Sequence, residues 1–193
     1  MALAAVLAAI VLCSATSVQG IFLAHEGVKS CPEGTERFVA PITGLNNIAP
    51  NSTTPLPLPS PVKGVAALCV DEGAESVEWS LVLCRFTRKT GGYIQSTWLH
   101  VGSRHVDFPP PLVPLEPPAK PADPNAPPSL APTIIRGCRG SEGSFIAADF
   151  VPLPPNVLGL PTFVSKLKAE EMYVNVHSVR LPTGEARGHF AQV

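Results

Sequence analysis

From about residue 37 onward the chain reads as short β-rich runs, and in the clearest of them apolar and polar positions alternate with a period of two. In Val77-Glu78-Trp79-Ser80-Leu81-Val82-Leu83-Cys84, the residues Val77, Trp79, Leu81 and Leu83 share one face, the signature of a half-buried strand. The same reading predicts strands over Arg37–Leu45, Lys63–Val70, Val77–Phe86, Tyr93–Gly102, Thr133–Cys138 and Gly143–Phe150. The acidic, glycine-containing link Asp71–Ser76 predicts a hairpin between the second and third of these. A closing hairpin is predicted from Tyr173–Ser178 and Gly184–Phe190, around Pro182-Thr183-Gly184. Only Phe163–Glu171 reads as helix, a turn or two long. Short strands punctuated by Gly and Pro, with very little helix, predict an all-β antiparallel sandwich or barrel.

Proline interrupts this pattern. Eleven of the 25 residues from Phe108 to Pro132 are Pro, which removes ladder donors and fixes φ. The expectation is a polyproline-II-prone surface insertion, residues 108–132, that pairs with no sheet and buries little. Smaller proline-rich connections fall at Asn46–Pro61 and Val151–Pro161.

Residues 1–20 read as a signal peptide, with an apolar run too short for a membrane span followed by small residues. No Lys or Arg precedes that run, and the competing reading is an uncleaved membrane anchor or a buried N-terminal helix. Cleavage predicts a mature chain that starts between Thr16 and Ile21 and has no membrane span. It removes Cys13 and leaves Cys31, Cys69, Cys84 and Cys138, an even set that predicts two disulfides with three possible connectivities. Symmetric pairing about Asp71–Ser76 sets Cys69 beside Glu78 rather than opposite Cys84. The bridges are therefore expected to run to Cys31 and Cys138, in either combination. Asn51-Ser52-Thr53 is a glycosylation sequon. Together these features predict a secreted, extracellular protein. Its organisation is a signal peptide (1–20), an N-terminal lead (21–36) and one β domain (37–193) containing the proline-rich insertion.

The 14 basic and 15 acidic residues are scattered and give a net charge of −1, which argues against nucleic acid as a partner. Catalytic patterns are scarce. The chain has no Gly-x-Ser-x-Gly elbow and no phosphate-cradling glycine loop, and its cysteines look committed to disulfides. Asp149 and Glu185 are the carboxylates a glycosidase reading would need, but nothing in their context singles them out; Glu185 reads more simply as a same-face ion pair with Arg187 or as a cross-strand partner. His100, His105, His177 and His189 invite comparison with β-barrel copper–zinc oxidoreductases, yet no His-x-His pair occurs. The expectation is a non-enzyme without a cofactor, with a metal-binding (Cu/Zn) oxidoreductase-like barrel as the alternative.

The closing segment, Tyr173-Val174-Asn175-Val176-His177-Ser178 and then Gly184-Glu185-Ala186-Arg187-Gly188, resembles the end of the CHRD domain, an extracellular module first described in chordin. That family's pattern runs Tyr-Val-Asn-Val-His-Thr, a turn, then Gly-Glu-Ile-Arg-Gly. It matches here at Tyr173, Asn175, Val176, His177, Gly184, Glu185, Arg187 and Gly188. Trp98-Leu99-His100-Val101-Gly102 aligns with the family's Ala-His-Ile-His-Gly element, with Trp98 in place of the first histidine and with His100 and Gly102 retained. Gly64-Val65-Ala66 fits its early hairpin element. The resemblance spans about Arg37 to Gln192 and implies an immunoglobulin-like β-barrel with an extracellular binding or structural role. The implied partner is an extracellular protein or a matrix or cell-wall component. Growth-factor binding does not carry over, because chordin's cysteine-rich repeats have no counterpart here. With Trp98 replacing a histidine, His100 and His177 are expected to form hydrogen bonds within the barrel; His100, His177 and His189 remain the only candidate metal ligands, and no metal is expected. A three-residue closing loop would set Leu181 opposite Glu185, Val179 opposite Arg187 and His177 opposite His189. Of the last pair only His177 belongs to the family pattern, so it is expected to matter more for stability.

Overall fold

The computed structural model describes residues 28, 30–46, 60–86, 93–102, 111–116, 133–134, 137–151 and 159–193. The expected signal peptide, Cys13, Asn51, His105 and residues 117–132 lie outside the described residues.

Among the described residues, ten strands build one antiparallel sheet that nearly closes on itself. They are β1 (Glu36–Thr43), β2 (Lys63–Asp71), β3 (Ser76–Phe86), β4 (Tyr93–Val101), β5 (Pro111–Glu116), β6 (Thr133–Ile134), β7 (Gly137–Ile146), β8 (Met172–Ser178), β9 (Ala186–His189) and β10 (Ala191–Gln192). The strand order is β5-β4-β8-β9-β1-β2-β3-β7, with β10 on β1 and β6 on β4. Alternation decides which side chains enter the barrel. Phe38, Ala40 and Ile42 of β1, Ala66, Leu68 and Val70 of β2, and Val77, Leu81 and Leu83 of β3 all join the interior core. Between them, Val39, Val65, Ala67, Val82 and Cys84 point the other way and form a second cluster with Val28 of the N-terminal lead.

The β2–β3 hairpin has the expected register: Asp71 pairs with Ser76 and Cys69 with Glu78. Asp71 Oδ1 accepts the Ala74 N–H at 2.9 Å and shapes the turn. Among the described residues one α-helix, α1 (Leu160–Lys168), buries Leu160, Phe163, Val164 and Leu167, a single stripe at helical spacing. It starts three residues before the sequence reading because Pro161 belongs to its first turn, where a missing N–H costs nothing. Phe163 meets Phe145 at 5.8 Å and Phe150 at 5.4 Å between ring centroids, joining the helix to β7 and the turn after it. The helix ends in a Schellman motif with Glu170 at φ 55°; the Glu171 N–H donates to Lys166 O at 2.9 Å and the Glu170 N–H to Leu167 O at 3.0 Å.

Three expectations need correction. The proline-rich insertion is not wholly outside the sheet. Pro111–Glu116 pairs with β4, and Leu112, Val113 and Leu115 are buried to within 2 %. Proline is tolerated because β5 is an edge strand, and the register shifts around Trp98↔Pro114 and at His100↔Pro111 absorb the missing donors. Second, Thr133–Cys138 and Gly143–Phe150 are not two successive strands. Cys138 belongs to β7, which runs unbroken through Gly140 and Gly143. Gly143 does not end the strand; it makes room for the Trp79 indole, which approaches to 2.8 Å of where a Cβ would sit. Third, the closing hairpin is registered four residues differently. Tyr173, not His177, lies opposite His189, and Arg187 faces Asn175, not Val179. Pro182-Thr183-Gly184 does turn, with the Gly184 N–H donating to Leu181 O at 3.0 Å, but the β8–β9 ladder ends at Val176↔Ala186 and Ser178 pairs only with β4. Its hydroxyl accepts the Leu181 N–H at 3.0 Å and closes an inner turn.

Candidate functional site

Where Leu99, Val174, Val176 and Ala186 face the core, their neighbours in sequence must face outward. That places Trp98 and His100 of β4, Tyr173, Asn175 and His177 of β8, and Arg187 and His189 of β9 on one outward surface. Register arranges them in rows. His100 is opposite Tyr173, which is opposite His189; Trp98 is opposite Asn175, which is opposite Arg187. Although outward-facing, His100, Tyr173, Asn175 and Arg187 are buried.

The first row is an aromatic ladder. His100 stacks on Tyr173 with centroids 4.9 Å apart and planes 6° from parallel, and Tyr173 meets His189 at 5.3 Å. Arg187 reaches across from the second row. Its guanidinium carbon sits 3.4 Å from the centre of the Tyr173 ring, a close cation–π contact, and its Nε–H donates to His189 Nε2 at 3.1 Å. That bond fixes the proton of neutral His189 on Nδ1.

His177 sits one row further along and tilts against His100 at 6.1 Å. Its Nδ1 lies 2.8 Å from Pro182 O; a carbonyl can only accept, so Nδ1 carries the proton. Burial pushes the His177 pKa below its ordinary value of 6.5, and the bond to Pro182 opposes this in part. Its Nε2 and the Oδ1 of Asn175 are buried without a hydrogen-bond partner among the described residues.

Glu185 pairs with hydroxyls rather than with Arg187. Ser60 Oγ donates to Oε1 at 2.7 Å and Ser178 Oγ to Oε2 at 2.5 Å, tying the loop before β2 to the closing hairpin. Asn46 Nδ2 donates to Arg187 O at 3.3 Å. Sequence reasoning missed Ser60, Ser178 and Asn46. Ser178 alone carried a signal, since it occupies the hydroxyl position that ends the family's Tyr-Val-Asn-Val-His-Thr pattern.

The glycines of the pattern have steric reasons. A Cβ on Gly188 would lie 2.6 Å from Pro41 O, so only glycine lets β9 approach β1. Gly184 has φ +133° and leaves space that the Asn175 amide fills, 2.7 Å from a hypothetical Cβ. A Cβ on Gly64 would meet Val82 O at 2.4 Å. Gly102 donates its N–H to Glu171 O at 2.8 Å and so anchors the end of β4.

Two disulfides complete the frame. Cys31–Cys69 fastens the N-terminal lead to β2, and Cys84–Cys138 joins β3 to β7 at directly opposed positions. Of the two combinations left open by the sequence, this is the one that forms.

Among the described residues no three His, Cys, Asp or Glu side chains converge on a point that could hold a metal ion. His100 and His177 are neighbours, but the Nε2 of His189 is occupied by Arg187. Nor is any helix there long and apolar enough to cross a membrane. Compared with known families, residues 38–190 match the model of the CHRD domain. No match was found among curated proteins or among solved structures.

Proposed function

The chain belongs to the CHRD-domain family, an extracellular type of module, and we propose that it acts as a secreted binding or structural domain with no catalytic step of its own. The observation that carries this reading is the commitment of the family's polar residues to one another. Arg187 is engaged by Tyr173 and His189, Glu185 by two serine hydroxyls, and His177 by the Pro182 carbonyl. These contacts lock β8, β9 and the segment before β2 together, and His100 stacked on Tyr173 adds β4. The two disulfides support an oxidising compartment. The immunoglobulin-like form of the barrel, a glycan on Asn51 and a partner that is an extracellular protein or a matrix or cell-wall component belong to the same reading.

Two measurements test it. Mature protein immobilised as bait should retain a stoichiometric partner from the extracellular fraction. The purified protein should carry less than stoichiometric copper or zinc. Stoichiometric metal that is lost from a His100→Ala/His177→Ala double variant would replace this reading with the oxidoreductase-like alternative.

A further inference from the structure

We propose that the free edge of β7, with the acidic cleft beside it, is the docking site for an extended segment of a partner protein that presents a basic side chain. The proposal rests on the reading of the domain as an extracellular binding module and assigns that role a surface.

The sheet does not close completely. β7 pairs with β3 from Ser76↔Ile146 to Phe86↔Gly137, and among the described residues its other edge carries no strand. The opposite end of the sheet, β5, comes near β7 without pairing with it, and just past the end of β7 the Val151 N–H donates to Leu112 O at 2.8 Å. Long exposed edges recruit other strands unless proline, lysine or a covering element blocks them. Along Gly137–Ile146 there is no proline and no lysine, Arg139 is its single basic residue, and Gly140, Glu142, Gly143 and Ser144 are all exposed. Gly140 adds no side chain over the backbone, and its nearest neighbour on that side is Leu81 O at 4.0 Å from where a Cβ would sit.

Charge selects the partner. On the outward face, where Glu78 pairs with Ser144 and Ser80 with Glu142, a cleft of about 290 Å³ opens between β3 and β7. Glu78, Trp79, Ser80, Glu142, Gly143 and Ser144 line it with Cys69 of the disulfide, and Glu142, exposed on β7 itself, is the carboxylate that an added strand would meet. Ser80 is 6 % exposed and still lines the cleft. A strand added along β7 would set every second side chain on this same face, beside Glu142. A lysine or arginine there reaches the cleft. The backbone ladder supplies affinity, and the basic group supplies register and selectivity.

Two capped hexapeptides, Thr-Val-Lys-Val-Thr-Val and Thr-Val-Glu-Val-Thr-Val, serve as probes on the full mature protein, with amide hydrogen exchange and sedimentation as readouts. The lysine peptide should slow exchange within residues 137–144 and bind about tenfold tighter than the glutamate peptide, and Glu142→Lys should abolish that preference. No protection in this segment overturns the proposal, as does equal binding of the two peptides. Protection without peptide, accompanied by dimerisation, makes the occupant a second copy and overturns it too. Capture of an extracellular partner equally by the wild type and by Glu142→Lys sinks this inference while leaving the binding-module reading intact. A peptide preference at β7 with no extracellular partner does the reverse.

Discussion

Gly188→Ala tests the barrel most sharply, because a single methyl group would be added where two strands meet. The new Cβ would stand 2.6 Å from Pro41 O and 3.0 Å from both Pro41 C and Ile42 Cγ1. Ordinary contact begins at 3.4 Å, so β9 and β1 must separate locally by 3.4 − 2.6, about 0.8 Å. Two of the three obstacles are backbone atoms, and no rotamer change relieves them. Overpacking of a tight interior costs about 1–3 kcal/mol, and a backbone obstacle puts this site at the upper end. Replacing glycine returns about 0.4–1 kcal/mol through the unfolded chain, which leaves a net loss of about 2 kcal/mol. For a domain of this size that is a fall in Tm of about 4–8 °C. Gly140→Ala is the control: its nearest obstacle is Leu81 O at 4.0 Å, and it should leave Tm unchanged or raise it by up to about 4 °C. Thermal unfolding of the two variants with disulfides intact, followed by circular dichroism, checks both. If Gly188→Ala melts with the wild type, β9 does not approach β1 as described.

Three further outcomes follow from the same geometry. Burial holds the His177 pKa below 6.5 in the folded state, so its contribution to stability is present above about pH 6.5 and is lost as pH falls below it. His177→Gln should flatten the fall in urea midpoint between about pH 6.5 and 5, and an unchanged slope would refute the assignment. His189→Ala should cost at least as much as His177→Ala, about 1–3 against about 1 kcal/mol, because it removes both the acceptor for Arg187 Nε and a ring contact to Tyr173. This reverses the ranking drawn from the family pattern, and the urea midpoints of the two variants decide it. Leu112→Ala should cost about 2–5 kcal/mol, since the side chain is 1 % exposed, whereas replacing residues 117–132 with a short Gly/Ser linker should cost about 1 kcal/mol. Equal effects would mean that β5 does not pack on the barrel.

The sheet was legible because its signals are local. Alternation in Val77–Leu83 and the acidic turn at Asp71–Ser76 set a register that puts Cys69 beside Glu78 without knowledge of any distant residue. What failed depended on context. A proline such as Pro114 excludes a central strand but not an edge, and edge position is a property of topology rather than of the segment. Gly143 looks like a breaker until Trp79 is placed opposite it. The closing hairpin was read from its Pro-Thr-Gly turn, but Ser178 satisfies the Leu181 N–H and the Glu185 carboxylate and starts a turn further in. The shift of four residues is even, so His177, Arg187 and His189 stayed on the expected face while their partners changed. The ladder of His100, Tyr173 and His189 needs three strands in register, which no single stretch of sequence specifies.

The central claim is a secreted, disulfide-closed extracellular domain, and peptide mapping of unreduced, alkylated protein recovered from the extracellular fraction tests it most directly. The prediction is a mature chain starting between Thr16 and Ile21, with Cys31 linked to Cys69, Cys84 linked to Cys138 and none of the four alkylated. An intact Met1 on a chain whose cysteines all react with the alkylating agent would contradict it.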